Sequence, residues 1–523
     1  MLFAESKILT SDPKSIETVI LGGTETTVEE FVAVARYNAV VEFSDEYKER
    51  VTKSRNLVDK FLAENRRIYG LTTGFGENVR YVISPEDAET LQKNIVRSHA
   101  CSVGAPLDRE LVRAIQFMML LNTGKGYSGI SLEVLELIKD LLNNSVTPYA
   151  PGEGSVGYLA VEAQIALVLM GEGKAWYKGE LLSGDEALRR AGLKPVSLKC
   201  KEGLSLLNGT TSVTGLAILA VYDAVNAAKV LDITGAITFE ALKATVKSCD
   251  PRVHSMKKHV EQHRTAETIL KILEGSEIAA KFIDSKVQDA YVLRCTPQMQ
   301  GAAKRILRES LDAVYEEMCS VSDNPIIFPE GDDGEGLMGG NFDGSYVGSH
   351  ADCACIAMAT LAKLSERRTE RMVNRHLSEL PAFLVKNPGL NNGYMIPQYT
   401  AAGLVGEIRV LSTPSTIDSV PTCASQEDPV TLAYFASLKA YQVARKLQYI
   451  IAIELMVAVQ ALDFLKPLKP SRVTSRVYDI IREKVAPVEE DRHFHPDMEY
   501  IYELVREGVI LKEVEEMTGT LDF

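Results

Sequence analysis

The chain has 523 residues, 46% of them apolar, and a formal net charge of −14 with both signs interspersed. That length suits about two to four conventional domains or one large helical assembly, and the apolar share suffices for a large core. The acidic balance, with no cluster of Lys and Arg, argues against a nucleic-acid surface. Eight cysteines are scattered without a CxxC pair, so neither a zinc ribbon nor a disulfide framework is indicated. The first residues lack a basic segment followed by a long apolar one. The longest apolar stretch, Ile450 to Leu465, is interrupted by Glu454, Gln460 and Asp463 and reads as a buried helix. A soluble cytoplasmic protein is expected.

Residues 1–60 begin with a small β-like segment, Thr18-Val19-Ile20-Leu21, followed by helices with a mixed polar face. The run Tyr69-Gly70-Leu71-Thr72-Thr73-Gly74-Phe75-Gly76 is a glycine-rich loop carrying aromatics, a composition equally at home in a functional lid and in a packed surface turn. From Pro85 to Asn144 the pattern is helical. Glu89 to Ala100 has apolar positions at Leu91, Ile95 and Val96, with Ser98-His99 near its end. A lone His there is more often structural than a metal ligand, and the nearby Cys101 makes no metal set.

Pro151-Gly152-Glu153-Gly154-Ser155-Val156-Gly157-Tyr158-Leu159-Ala160 is the organising stretch. It is glycine-dense and runs straight into an apolar helix around Ala163–Met170. Small residues ahead of a helix let backbone amides approach something closely. It contains G-x-G-x-x-G, but the prolines of Thr147-Pro148-Tyr149-Ala150-Pro151 argue against the buried parallel strand that a dinucleotide site needs.

Ala175 to Leu182 reads as a short hairpin. Leu207-Asn208-Gly209-Thr210 then leads into a long apolar helix to about Val246. Gln288, Tyr291 and Arg294 are spaced i, i+3, i+6 and would share a helical face. An Arg there could fork onto a carboxylate, or simply pair within the chain. Ser322-Asp323-Asn324-Pro325 and Gly339-Gly340-Asn341-Phe342 bracket an acidic loop, Glu330 to Gly336, expected to be exposed. Ser425-Gln426-Glu427-Asp428 is expected to cap the helix that follows it. Residues 471–523 look like peripheral amphipathic helices. No 20–50-residue repeat occurs. The fold class expected is mainly α with a central bundle of long helices. The parts would be a mixed α/β region over 1–205, the bundle over 206–470 and C-terminal helices over 471–523.

Each polar loop is bland alone. Together, in order, they resemble the aromatic amino acid ammonia-lyase family, the histidine type in particular. The segments are Tyr69 to Gly76, Ser98-His99-Ala100, Gly154-Ser155-Val156-Gly157, Leu207 to Thr210, Gln288 to Cys295, Gly339 to Phe342 and Gln426-Glu427-Asp428. The resemblance implies a fumarase/aspartase-like helical fold and a homotetramer with shared sites. It implies a self-made 4-methylideneimidazol-5-one electrophile, with no metal and no nucleotide. That ring forms from Ala-Ser-Gly, which belongs between Gly157 and Tyr158 and which the sequence lacks. The frame is otherwise kept across a gap of three. The expectation is that the group belongs to the protein and is missing only from the one-letter sequence. A true deletion would leave a binding or scaffold relative.

By the same resemblance, Tyr69 removes the β-proton and Asn208 hydrogen-bonds the ring carbonyl. Tyr291 and Gln288 line the site, Arg294 clamps the substrate carboxylate, and Phe342 packs near the ring. Glu427 sits near the substrate amine or side chain. Ser98-His99 matches the histidine-type selectivity pair and points to L-histidine giving urocanate and ammonia. The alternatives are a tyrosine or phenylalanine ammonia-lyase and a 2,3-aminomutase. Tyr158 in place of an acidic residue, Val161, Glu162 and Gln164 in place of Pro, Leu and His, and Pro429 in place of His depart from the pattern.

Overall fold

Four long helices set the architecture: Thr211–Ala241, Thr296–Met318, Ser345–Val373 and Ala433–Asp463. The computed structural model describes residues 12–329 and 333–523. The Thr211–Ala241 helix is mostly apolar and buried on nearly every side, so it lies at the centre of the bundle. With the preceding Glu202–Leu207 turn it is, among the described residues, the one helical stretch long and apolar enough to cross a membrane, and it is wholly buried in the protein.

Several charges inside the bundle are paired. The Arg368 guanidinium forks onto Glu454, with Nε 2.6 Å from Oε1 and Nη2 3.0 Å from Oε2. Thr238 and Ser365 donate to the same carboxylate at 2.7 and 2.6 Å. Asp232 accepts from Lys304 and Gln300, and Lys201 meets Asp323 at 2.6 Å with both side chains fully buried. Burial of either partner alone would be costly, so these pairs fix how the helices register against one another.

The expected β-like segment is the strand Thr18–Leu21, paired in parallel with Val40–Phe43. The helix between them, Val28–Tyr37, starts with a Thr27/Glu30 capping box. The expected hairpin is Lys174–Tyr177 with Glu180–Ser183. The prolines ahead of the organising stretch do lie in strands. These are short antiparallel pairings, Pro151–Glu153 with Val103–Pro106 and Thr147–Pro148 with Lys174–Tyr177, not a parallel sheet. The acidic loop falls partly outside the described residues; its end, Glu335–Leu337, pairs with Ile326–Phe328. The C-terminal helices pack on the outside of the bundle, where Tyr502 stacks on Tyr449 at 3.8 Å between ring centroids.

Two expectations fail locally. Ser425 to Asp428 does not cap the next helix, which begins only at Ala433. Thr422 and Glu427 instead close a tight turn through a backbone bridge, with Cys423, Ala424 and Ser425 all in the left-handed region (φ 50°, 54° and 63°). Nor do Gln288, Tyr291 and Arg294 share one helix. Only Tyr291–Arg294 is helical. Asp289 is tied to the backbone N–H of Thr245 at 2.7 Å, and Gln288 before it lies outside any helix.

Candidate active site

The loops around the near end of the bundle enclose a cavity of about 770 Å³. Gln92, fully buried, locks three of its walls together. Its Nε2 donates to the Gly70 carbonyl at 3.1 Å, and its Oε1 accepts from Leu204 N at 3.1 Å. This joins the Tyr69 loop, the Ala88–His99 helix and the Glu202–Leu207 helix. Gly70 has φ +69°, and a Cβ there would fall 2.5 Å from Leu204 Cδ2, so only glycine permits the approach.

Tyr69, Ser98, His99, Asn208, Phe342 and Glu427 all line this cavity. Tyr69 Oη accepts from Gly76 N at 2.8 Å. Burial raises the Tyr69 pKa above the usual phenol value. The Gly76 donor opposes this, and Glu427 and Cys423 reinforce it. A phenol that is to act as a base near neutrality would need the opposite shift, so these surroundings do not by themselves supply one. Ser98 Oγ lies 3.0 Å from His99 Nδ1, which leaves Nε2 to face a ligand. Burial holds the His99 pKa below its ordinary value, against the pull of the Ile95 carbonyl and, less, of Glu427. The Glu427 carboxylate accepts from Thr422 Oγ1 at 2.8 Å. Asn208 is 7% exposed, and its Nδ2 donates to the Asn324 carbonyl at 3.0 Å. That bond uses one of its two N–H groups, so the amide keeps a second N–H donor as well as its acceptor oxygen.

Gln288, Tyr291 and Arg294 do not line the cavity. Tyr291 is 69% exposed, and the Arg294 guanidinium lies over its ring at 4.7 Å. Arg294 Nε is shielded from solvent and has no hydrogen-bond partner among the described residues. The intramolecular ion pair that was the plain alternative for Arg294 is not formed among them.

Sequence reasoning missed the place of Tyr158. Its ring lines the cavity and meets Phe342 edge-on, centroids 5.6 Å apart. Burial and the nearby Glu427, Asp343, Cys423 and Tyr69 raise its pKa. The signal was there in its replacement of an acidic residue. Leu159, next in the chain, has φ +77° and donates its N–H to the Leu207 carbonyl at 3.2 Å. A non-glycine residue so placed is strained, a feature that concentrates at functional sites.

The residues present do not fit the methylideneimidazolone ring. No Ala-Ser-Gly occurs anywhere in the sequence. Ser155, the one serine of the stretch, is followed by β-branched Val156 rather than by the glycine whose amide would close the ring. Its hydroxyl is engaged in the turn, accepting from Gly157 N and donating to the Tyr158 carbonyl, each at 3.3 Å. The backbone then passes directly into Tyr158.

The family model for aromatic amino acid lyases matches residues 26–483. A histidine ammonia-lyase of Caldanaerobacter subterraneus subsp. tengcongensis is 43% identical over 504 residues, 96% of this chain and 99% of that protein. Among solved structures, histidine ammonia-lyase from Trypanosoma cruzi superposes with a TM-score of 0.88 at 36% identity, covering 95% of both chains. Tyrosine aminomutase from Streptomyces globisporus gives 0.91 at 31% identity, covering 97% of this chain and all of the other. A mainly α fold, loops in family order and a match across nearly the whole length place the chain, as a member, in the aromatic amino acid lyase family of carbon–nitrogen lyases.

Proposed function

We propose that this protein eliminates the α-nitrogen of an imidazole-bearing amino acid, releasing urocanate; from L-histidine itself the second product is ammonia. One observation carries the reading. Tyr69, His99, Asn208, Phe342 and Glu427 converge on a single cavity, in a chain 43% identical over nearly its whole length to a histidine ammonia-lyase. Tyr69 takes the β-proton. Its phenol needs a positive neighbour to ionise near neutral pH, since burial disfavours the phenolate. His99 Nε2 faces the substrate imidazole, with Nδ1 engaged by Ser98. Glu427 faces the cationic α-nitrogen.

Arg294 clamps the carboxylate as a planar fork, and it does so from another copy of the chain. The active form is a cytoplasmic homotetramer in which Gln288, Tyr291 and Arg294 of one subunit complete the cavity of the next. The exposure of Gln288 and Tyr291 supports this, as does the unpartnered Nε of the partly buried Arg294. So do the exposed apolar side chains on and near the bundle, among them Tyr346, Tyr399, Val410 and Ile417.

The family's ring would supply an electrophile that holds the leaving nitrogen. This chain lacks the three residues that build it, so no step is assigned to it. The test is incubation with imidazole-bearing amino acids and chromatographic identification of products. Urocanate is expected. A β-amino acid would make the protein an aminomutase, and no product from any of them would overturn the elimination reading.

A further inference from the structure

The elimination reading leaves one chemical requirement unmet. A base strong enough to take a proton from Cβ meets a more acidic one first, on the α-ammonium group. Removing that N–H proton leaves a neutral amine, which does not depart with the bonding pair. An electrophile that captures the nitrogen solves this, but the residues for it are absent between Gly157 and Tyr158. A nitrogen with four carbon substituents has no N–H to lose. Its positive charge is permanent, and it leaves as a neutral tertiary amine.

The cavity suits such a group. Among the described residues its lining includes the rings of Tyr69, Phe75, Tyr81, Tyr158 and Phe342, the carboxylate of Glu427, and no Lys or Arg. Tyr158 stands directly after the point where the tripeptide is missing, with its ring edge-on to Phe342. Aromatic faces beside a carboxylate are how proteins recognise quaternary ammonium ions, which make no N–H hydrogen bonds. Leu159 is held at φ +77°, and its N–H is fastened to the Leu207 carbonyl, so the backbone beside Tyr158 is pinned.

We infer that the nitrogen expelled here is quaternary: the substrate is the trimethylammonium betaine of an imidazole-bearing amino acid, and no ring is formed. This rests on the elimination reading above. Tyr69, as phenolate, takes the proton from Cβ. The C–H pair becomes the Cα=Cβ bond, and the Cα–N bond breaks with its pair going to nitrogen. Trimethylamine leaves neutral and urocanate remains, so no oxidant, reductant or further reactant is needed. The permanent cation also favours the phenolate of Tyr69 beside it, adding to the Gly76 N–H, which alone does not offset burial.

The experiment uses the purified full chain, with its intact mass measured first. L-Histidine and its Nα-trimethyl betaine are then offered separately, and urocanate, ammonia and trimethylamine are quantified. The expected result is a mass equal to that of the sequence, with kcat/KM at least 100-fold higher for the betaine. Turnover of L-histidine at a comparable or greater rate would overturn this inference and leave the elimination reading standing. A mass higher by Ala, Ser and Gly less two waters would do the same. Turnover of neither compound would overturn both. Tyr158→Leu should raise KM for the betaine about tenfold with kcat little changed, while Tyr158→Phe, which keeps the aromatic face, should restore KM. An unchanged KM in Tyr158→Leu would remove Tyr158 from the recognition of the cation.

Discussion

The two halves of the site differ in what holds them. Tyr69, His99, Asn208 and Glu427 are fixed by bonds within the chain: Gly76 N to Tyr69, Ser98 to His99, Asn208 to Asn324, Thr422 to Glu427. Gln288 and Tyr291 are exposed and Arg294 is partly buried, all three outside that cavity, and Arg294 Nε has no partner among the described residues. On the roles proposed above, one chain folds the base and the specificity group into place but keeps the carboxylate fork elsewhere. If the proposed assembly holds, the base and the clamp come from different copies, and each can be broken without the other.

The largest effect is expected at the base. Tyr69→Phe removes one hydroxyl whose only hydrogen bond among the described residues is from Gly76 N. Turnover should fall about 10²–10⁴-fold, with thermal unfolding nearly unchanged; near-normal kcat would show that Tyr69 is not the base. The clamp should respond differently. Arg294→Lys keeps the charge and loses the fork, so KM should rise roughly tenfold or more, in line with charge-assisted bonds worth about 1.5–3 kcal/mol. If steady-state kinetics found KM unchanged, Arg294 would not hold the carboxylate.

A smaller effect is expected at His99. His99→Leu removes the imidazole partner while leaving the cavity apolar. Turnover of imidazole-bearing substrates should fall roughly tenfold relative to phenyl-bearing ones. A competition assay giving the same preference as the parent would place recognition of the imidazole elsewhere.

Glu162 gives a stability test remote from the chemistry. It is fully buried behind the organising stretch. Its Oε1 accepts from Ser212 N at 3.1 Å, and its Oε2 has no partner among the described residues. Burial pushes its pKa up to about 7 from an ordinary 4.5. A raised folded-state pKa means that the folded form binds the proton more tightly. Its contribution is therefore complete below about pH 4.5 and is lost as pH rises to about 7. Glu162→Gln keeps the acceptor and removes the titration. Denaturation midpoints should show it near neutral at pH 5 and stabilised at pH 8, by at most about 3 kcal/mol. Equal effects at both pH values would mean that Glu162 is not buried as a carboxylic acid.

Much of this was legible in the sequence where periodicity or turn chemistry acts locally. The strand Thr18–Leu21, the 174–183 hairpin and the long helix after Asn208 follow from such signals. The cavity-lining residues were legible only because several loops recur in a family order; nothing local to His99 or Phe342 says that they meet. What failed depended on turn geometry and long-range bonds that spacing does not report. Glu427 looked like a helix cap because acids commonly sit in first turns, but a left-handed turn at Cys423–Ser425 aims it into the cavity. Gln288 looked helical by spacing, yet Asp289 is claimed by Thr245, far away in the chain. Tyr158 was visible as a departure from the family pattern, but its packing on Phe342 needs the fold to bring the two segments together.

The measurement that tests the central claim most directly is activity from two inactive variants combined. Tyr69→Phe and Arg294→Ala would be co-expressed and purified as mixed oligomers, then assayed for urocanate. If the cavity of one copy is completed by Arg294 of another, random assembly leaves about a quarter of the sites with both native residues. Activity should then recover to roughly that fraction of the parent, far above either variant alone. Mixed oligomers that assemble normally yet stay as inactive as their components would contradict the shared site.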